Sequence, residues 1–87
     1  MDRTVFLNMV RDLISEKFGT RVDLIMESSR LREDLGADSL DEVLLFFALD
    51  EKYGPIPVET AYLFKTVGDI VSYVEEYIMK KDVQTGG

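Results

Sequence analysis

The chain of 87 residues contains no cysteine and no histidine, and it has only two prolines. Without cysteine it cannot form disulfides, thiolate metal sites or a cysteine nucleophile, and without histidine it lacks the commonest general base. No stretch of eighteen apolar residues occurs, and no basic segment followed by an apolar run opens the chain, so neither a membrane span nor secretion is expected. These absences predict a cytoplasmic protein without a thiolate metal site or a cysteine nucleophile, and we assign it no metal site and no catalytic residue.

Composition and charge narrow the class of protein further. Apolar residues make up 46% of the chain and charged residues 31%, which favours one compact domain over a disordered segment. The 17 acidic and 10 basic residues give a formal charge of −7, and this charge repels nucleic acid and attracts basic protein surfaces. The arginines are scattered, which is typical of side chains that serve solubility. We expect a monomer that does not bind nucleic acid.

The first helix is predicted over residues 5–18, where apolar residues recur every three or four positions. Asp2 or Thr4 can accept hydrogen bonds from the free amides at its start, and Gly19 can adopt the left-handed conformation that ends a helix. The boundaries of this helix are therefore marked in the sequence.

A long loop is predicted over residues 19–38, and a loop of this length is usually functional or anchored. Leu31 and Leu35 are the expected anchors, with apolar side chains that reach the core. The second helix is predicted from Ser39 to Tyr53, with Asp38 as its cap. Asp41, close to its third position, adds a carboxylate that favours the positive end of the helix dipole.

After the two prolines, a short helical turn is predicted from Val58 to Phe64. The pair Thr66 and Asp69 resembles a capping box, and apolar residues then repeat at helical spacing until the helix ends near Met79. Residues 80–87 are expected to form a flexible tail to the domain at 1–79. The predicted fold is all-α, a small antiparallel four-helix bundle of three longer helices and one short helix with a long first loop.

Two opposite faces of the second helix are apolar. One face is formed by Leu45, Phe46, Leu49 and Tyr53, and the other by Leu40, Val43, Leu44 and Phe47. A bundle this small cannot bury every side of one helix, so we expect the first face in the core and the second exposed. Asp41 and Glu42 are interspersed with the second face. An apolar spot with an acidic rim is predicted to dock partner proteins that have basic surfaces.

Residues 33–41, Glu-Asp-Leu-Gly-Ala-Asp-Ser-Leu-Asp, resemble the prosthetic-group attachment motif of acyl carrier proteins. The resemblance extends over roughly residues 5–78 in the order of elements. It implies the four-helix bundle of that family and a 4'-phosphopantetheine that a separate phosphopantetheinyl transferase esterifies to Ser39. It further implies that Asp38 helps the transferase to position its metal and that Leu40 packs against partners, which would be acyl-processing enzymes.

The chemistry of the predicted site agrees with this resemblance. A phosphodiester on Ser39 would lie beside unpaired amides at the positive end of a helix, which stabilises anions by typically about 0.3–1 kcal/mol. Gly36 would let a foreign active site approach the loop closely. In this family the acyl chain can retract between the helices, and the hypothesis here is that Phe46 and Phe47 narrow or redirect that cavity.

The sequence departs from the pattern of fatty acid carriers at two places. Those carriers usually keep an acidic residue in the second helix where Leu44 stands, and several acids on the third helix. This chain has only Glu59 on its third helix, and we expect Glu59 to contact partners as well. Specialisation and neutral drift on a solvated face both account for the departures. A role in fatty acid, polyketide, or aminoacyl or peptidyl synthesis is also left open by the sequence. The Gly-Ala-Asp-Ser-Leu match favours acyl cargo over peptidyl cargo.

Three other functions are weighed against this interpretation. A hydrolase that used Ser39 as its nucleophile would need a histidine or a Gly-x-Ser-x-Gly elbow, and the chain has neither; a serine–lysine pair has no recognisable motif. A noncovalent docking module would use the acidic, apolar face of the second helix without a prosthetic arm. The terminal Gly86-Gly87 occurs in conjugated modifiers, but those resemble a β-grasp fold and no strand is predicted here.

Overall fold

The computed structural model describes residues 2–86, with side chains described for residues 2–78. Its helices are α1 (Arg3–Phe18), α2 (Ser39–Tyr53), α3 (Val58–Ala61) and α4 (Val67–Gly86). In the described part of the chain there is no strand, and the only β-type pairing is an isolated bridge between Arg30 and Thr66. The predicted all-α bundle with a long first connection is therefore confirmed.

The predicted boundaries of α1 are confirmed by its caps. The Thr4 amide donates to the Asp2 carboxylate over 3.3 Å, so Asp2 rather than Thr4 is the cap. Gly19 adopts a left-handed φ of 71° and donates its N–H to the Ser15 carbonyl at 3.0 Å. Helix α1 packs against α2 and α4, and its buried side chains are Phe6, Val10, Leu13 and Ile14.

The connection over residues 19–38 is anchored to the start of α4. It contains a single 3₁₀ turn at Val22–Leu24. The Leu31 amide donates to the Lys65 carbonyl at 3.0 Å, and the Val67 amide donates to the Ser29 carbonyl at 3.0 Å. The predicted anchors are confirmed, since Leu31 is buried and Leu35 packs against the core; Ile25 is a further anchor.

Helix α3 is shorter than predicted. It ends at Ala61, and the chain continues to Phe64 through hydrogen bonds of the tighter i to i−3 type, from the Leu63 amide to Thr60 and from the Phe64 amide to Ala61. This tightening turns Phe64 into the core, while Leu63 stays exposed.

Helix α4 begins as predicted and continues further than predicted. The Asp69 amide donates to the Thr66 hydroxyl at 3.2 Å and the Thr66 amide donates to the Asp69 carboxylate at 3.0 Å, which confirms the capping box. The predicted end near Met79 is wrong, since α4 extends to Gly86; no glycine or proline lies between Met79 and that residue. The flexible tail at 80–87 stays a prediction, and Gly87 lies outside the described residues.

Candidate functional site

Ser39 is the first residue of α2 and its side chain is exposed. The Asp41 amide donates to the Asp38 carboxylate at 2.8 Å, and the Asp38 amide donates to the Asp41 carboxylate at 3.1 Å. This reciprocal capping box satisfies two backbone donors and fixes where the helix begins. The predicted cap is confirmed, and the serine hydroxyl is held at a defined position on the surface.

The turn before α2 explains the glycine in the motif. Gly36 has a left-handed φ of 71°, which an L side chain adopts only with strain. A Cβ at this position would meet nothing within 4 Å in the chain, so the backbone conformation requires glycine and the space beside it is open. The next amide, of Ala37, donates to the Leu31 carbonyl at 2.9 Å and closes the turn.

Arg32 reaches from this turn to the start of α2. Its Nε donates to Glu42 Oε2 at 3.0 Å and its Nη2 donates to Glu42 Oε1 at 2.8 Å. The same Nη2 lies 3.4 Å from the Ser39 Oγ. The hydrogen bond to Glu42 and the charge of that carboxylate raise the pKa of Arg32, so the guanidinium stays charged beside the serine.

A groove of about 540 Å³ opens beside Ser39. Its lining comes from α2, from α3 and the residues around it, and from the turn that contains Arg32. The side chains that line it are Arg32, Glu33, Ser39, Glu42, Val43, Phe46, Phe47, Asp50, Ile56, Val58, Ala61, Tyr62, Phe64 and Lys65. Phe46 and Phe64 contact each other edge-on inside it, with ring centroids 5.8 Å apart. The groove is therefore mainly apolar, with charged groups near the serine.

The second apolar face of α2 is exposed, as the sequence predicted. Leu40 and Phe47 are each 64% exposed, and Val43 and Leu44 are exposed as well. Of the acids interspersed with them, Asp41 is bonded to the backbone of Asp38 and Glu42 to the Arg32 guanidinium. The acidic side chains of this rim therefore already accept hydrogen bonds from groups of the same chain.

Helix α3 and the two residues that follow it add to this exposed surface. Val58, Tyr62 and Leu63 are exposed large apolar side chains, and Glu59 beside them is exposed too. The docking roles assigned to Leu40, Asp41, Glu42, Val43, Leu44, Phe47 and Glu59 stay predictions.

A family model described as "Phosphopantetheine attachment site" matches residues 8–74. An acyl carrier protein of Clostridium perfringens is 44% identical over 72 residues, which cover 82% of this chain and 95% of the relative. The chain belongs to the acyl carrier protein family. An acyl carrier protein of Wolinella succinogenes is 43% identical over 67 residues, covering 76% of this carrier and 88% of that protein.

A solved structure supports the same assignment for the fold. The acyl carrier protein from Enterococcus faecalis superposes with a TM-score of 0.66 at 31% identity, covering 85% of this carrier and 95% of that chain. Acyl carrier proteins are carriers rather than enzymes, which confirms the expectation that this protein catalyses no reaction of its own. Among the described residues, no helix is long and apolar enough to cross a membrane.

Sequence reasoning missed two features of the site. It treated Arg32 as a solubilising side chain, whereas the structure places this residue on Glu42 and next to Ser39. It also did not identify Tyr62 and Phe64 as walls of the groove. No pattern signals these contacts, because Arg32 and Glu42 are ten positions apart and lie in different elements.

Proposed function

We propose that this carrier bears a 4'-phosphopantetheine arm on the Oγ of Ser39. The observation that carries the proposal is an exposed hydroxyl at a fixed helix start, on the edge of an apolar groove. The exposure of Ser39 leaves that hydroxyl accessible to a visiting transferase, and Asp38 is proposed to support its metal. The arm supplies a thiol that holds an acyl group as a thioester.

The proposed role is acyl transport for fatty acid, polyketide or related specialised lipid synthesis in the cytoplasm. Within it, Ser39 anchors the arm, the capping box of Asp38 and Asp41 keeps the anchor in place, and the groove shields the acyl chain from water. The exposed face of α2 supplies apolar contact area for partner enzymes, since the buried centre of an interface is more apolar than its rim.

Loading with coenzyme A and a broad phosphopantetheinyl transferase tests the attachment. We expect the intact mass to rise by one phosphopantetheine and the label to map to Ser39. The Ser39→Ala variant should remain unmodified. Ser28→Ala is the matched control, because Ser28 is an exposed serine in the connection that precedes α2, and it should load as the wild type does.

The same measurement decides the alternative, a noncovalent docking module. The exposed apolar face of α2 would serve that function equally well. A wild-type chain that stays unmodified under conditions in which a known carrier loads fully would favour docking. A label on a residue other than Ser39 would also contradict the proposed attachment.

The groove is proposed to receive the acyl chain. Each methylene that leaves water contributes about 0.8 kcal/mol, so the Tm of the loaded carrier should rise with acyl length until the groove is filled. Phe46 and Phe47 line the groove and are proposed to limit that length. Thermal unfolding of carriers loaded with short and long acyl chains checks this; equal stabilisation by both would count against it.

A further inference from the structure

The guanidinium of Arg32 has one occupied side and one open side. An arginine can present four of its five N–H donors as two forks, one formed by Nε with Nη2 and the other by Nη2 with Nη1. The first fork holds Glu42, at 3.0 and 2.8 Å. In the second fork, Nη2 donates to the Ser39 Oγ at 3.4 Å, and Nη1 donates no hydrogen bond to the described residues. The open fork is therefore next to the serine hydroxyl.

We propose that Arg32 binds the phosphate of the arm through this second fork while Glu42 holds the first. Arg32 then acts as a positioning residue that sets the direction in which the arm leaves Ser39. This inference rests on the proposed attachment at Ser39. It adds a phosphate-binding side chain from the loop, ten positions before Glu42 in the chain.

The carboxylates around Ser39 favour an ion pair between the phosphate and Arg32. The capping box places the carboxylates of Asp38 and Asp41 at the same helix end. The Asp38 carboxylate already accepts a hydrogen bond from the Asp41 amide. Glu33 and Glu42 line the adjoining groove. A phosphodiester adds a further negative charge to this acidic surrounding, and like charges in close proximity repel. A cation at contact distance from the serine offsets that repulsion.

The position of Arg32 is fixed at both ends of its side chain. At the backbone, its carbonyl accepts from the Gly36 amide at 3.1 Å within the turn. At the other end, the Glu42 side chain is only 17% exposed and holds the guanidinium in a two-point contact. A planar fork held in this way matches two phosphate oxygens, whereas a lysine offers a single point charge. Glu42 therefore orients Arg32 toward the serine.

The experiment is ³¹P NMR of the loaded carrier, after intact mass has shown one phosphopantetheine per chain. The variants are Arg32→Gln, Arg32→Lys, Glu42→Gln and the double variant that combines Arg32→Gln with Glu42→Gln. Arg30→Gln is the matched control, because Arg30 comes from the same turn and pairs with Asp34 rather than Ser39. A second control, Lys65→Gln, removes the other basic side chain that lines the groove.

We expect Arg32→Gln to shift the phosphodiester resonance, and Arg32→Lys to restore it only in part. Glu42→Gln should shift it in the same direction by less, and the double variant should coincide with Arg32→Gln, since Glu42 acts through Arg32. Both controls should match the wild type. The ¹⁵N signals of the Arg32 guanidinium should also move when the unmodified wild-type carrier is loaded.

Two results would overturn the inference while leaving the attachment at Ser39 intact. One is a loaded Arg32→Gln carrier whose phosphorus resonance coincides with that of Arg30→Gln. The other is an equal shift from Lys65→Gln, which would show a general charge effect rather than a fork. Failure of Ser39 to load appears earlier, in the mass, and would remove the proposed function and this inference together.

Discussion

The two faces of α2 carry the same kind of side chain but lie in opposite environments. Leu45 and Leu49 are 0% exposed and belong to the core, whereas Leu40 and Phe47 are 64% exposed. Leu44 and Leu45 are neighbours in the chain and fall on different sides of this division. Apolar composition therefore does not decide burial in this helix, because burial depends on which face the other elements cover.

The exposed face of α2 does not pack against the core of the domain. A single domain of this size has too little core to cover every side of α2. The uncovered side begins beside Ser39 and includes residues that border the groove. The buried face of α2 thus stabilises the fold, and the exposed face is proposed to dock partner proteins.

The largest expected effect separates the two faces by stability. Leu45→Ala should lower the free energy of unfolding by about 2–5 kcal/mol, because it removes packed methylene groups and leaves a cavity. Leu44→Ala makes the same chemical change one residue away, where the side chain is 44% exposed, and should change stability by no more than about 0.5 kcal/mol. Urea unfolding of the unmodified proteins measures both values. A large loss for Leu44→Ala would show that its face is covered.

An intermediate effect concerns partner choice on the exposed face. Leu44→Glu restores the acid that fatty acid carriers keep at this position, and a rim ion pair contributes about 0.2–1 kcal/mol. Acyl transfer by general fatty acid synthesis enzymes should therefore rise by up to about fivefold in kcat/KM, with the free energy of unfolding unchanged. The gain should shrink at high salt.

The control for this change is Leu63→Glu, which adds the same charge at another exposed leucine. An equal gain from both variants would point to net charge rather than to the position of Leu44. No gain from Leu44→Glu would favour neutral drift over specialisation.

The smallest expected effect extends the comparison to the turn before α2, where Leu31 faces the core and Asp34 faces water. Hydrogen bonds from the side chain and the backbone amide of Arg30, together with its charge, lower the pKa of Asp34. A lowered carboxyl pKa stabilises the fold above the ordinary value of about 3.9, and this contribution is lost as the pH falls through the lowered value. Asp34→Asn should be slightly less stable than the wild type at pH 7.

Urea unfolding at several pH values between 7 and 2 measures the difference in the free energy of unfolding between Asp34→Asn and the wild type. This difference should vanish at the lowest pH. Glu33→Gln is the control, because Glu33 contacts the same Arg30 only at 3.9 Å and should have a weaker effect. A deficit of Asp34→Asn that persists undiminished at low pH would mean that the contact acts through packing rather than through charge.

Local patterns predicted those parts of the site that local interactions build. The start of α2 and the capping box of Asp38 and Asp41 depend on residues within three positions of one another. The end of α4 was mispredicted because weak helix formers and charged residues do not by themselves stop a helix that has already begun. The early end of α3 depends on Phe64 entering the core, which periodicity does not reveal.

The sequence by itself determined the helical class, the capped start of α2 and the serine placed on it, because helix periodicity, capping and glycine conformations act over a few residues. Only the tertiary structure decided which apolar face of α2 was covered, how α3 and Phe64 close the groove, and that Arg32 pairs with Glu42 beside Ser39. These contacts join segments that are distant in the chain, and they form when the packing of α1, α2 and α4 sets the distances between them.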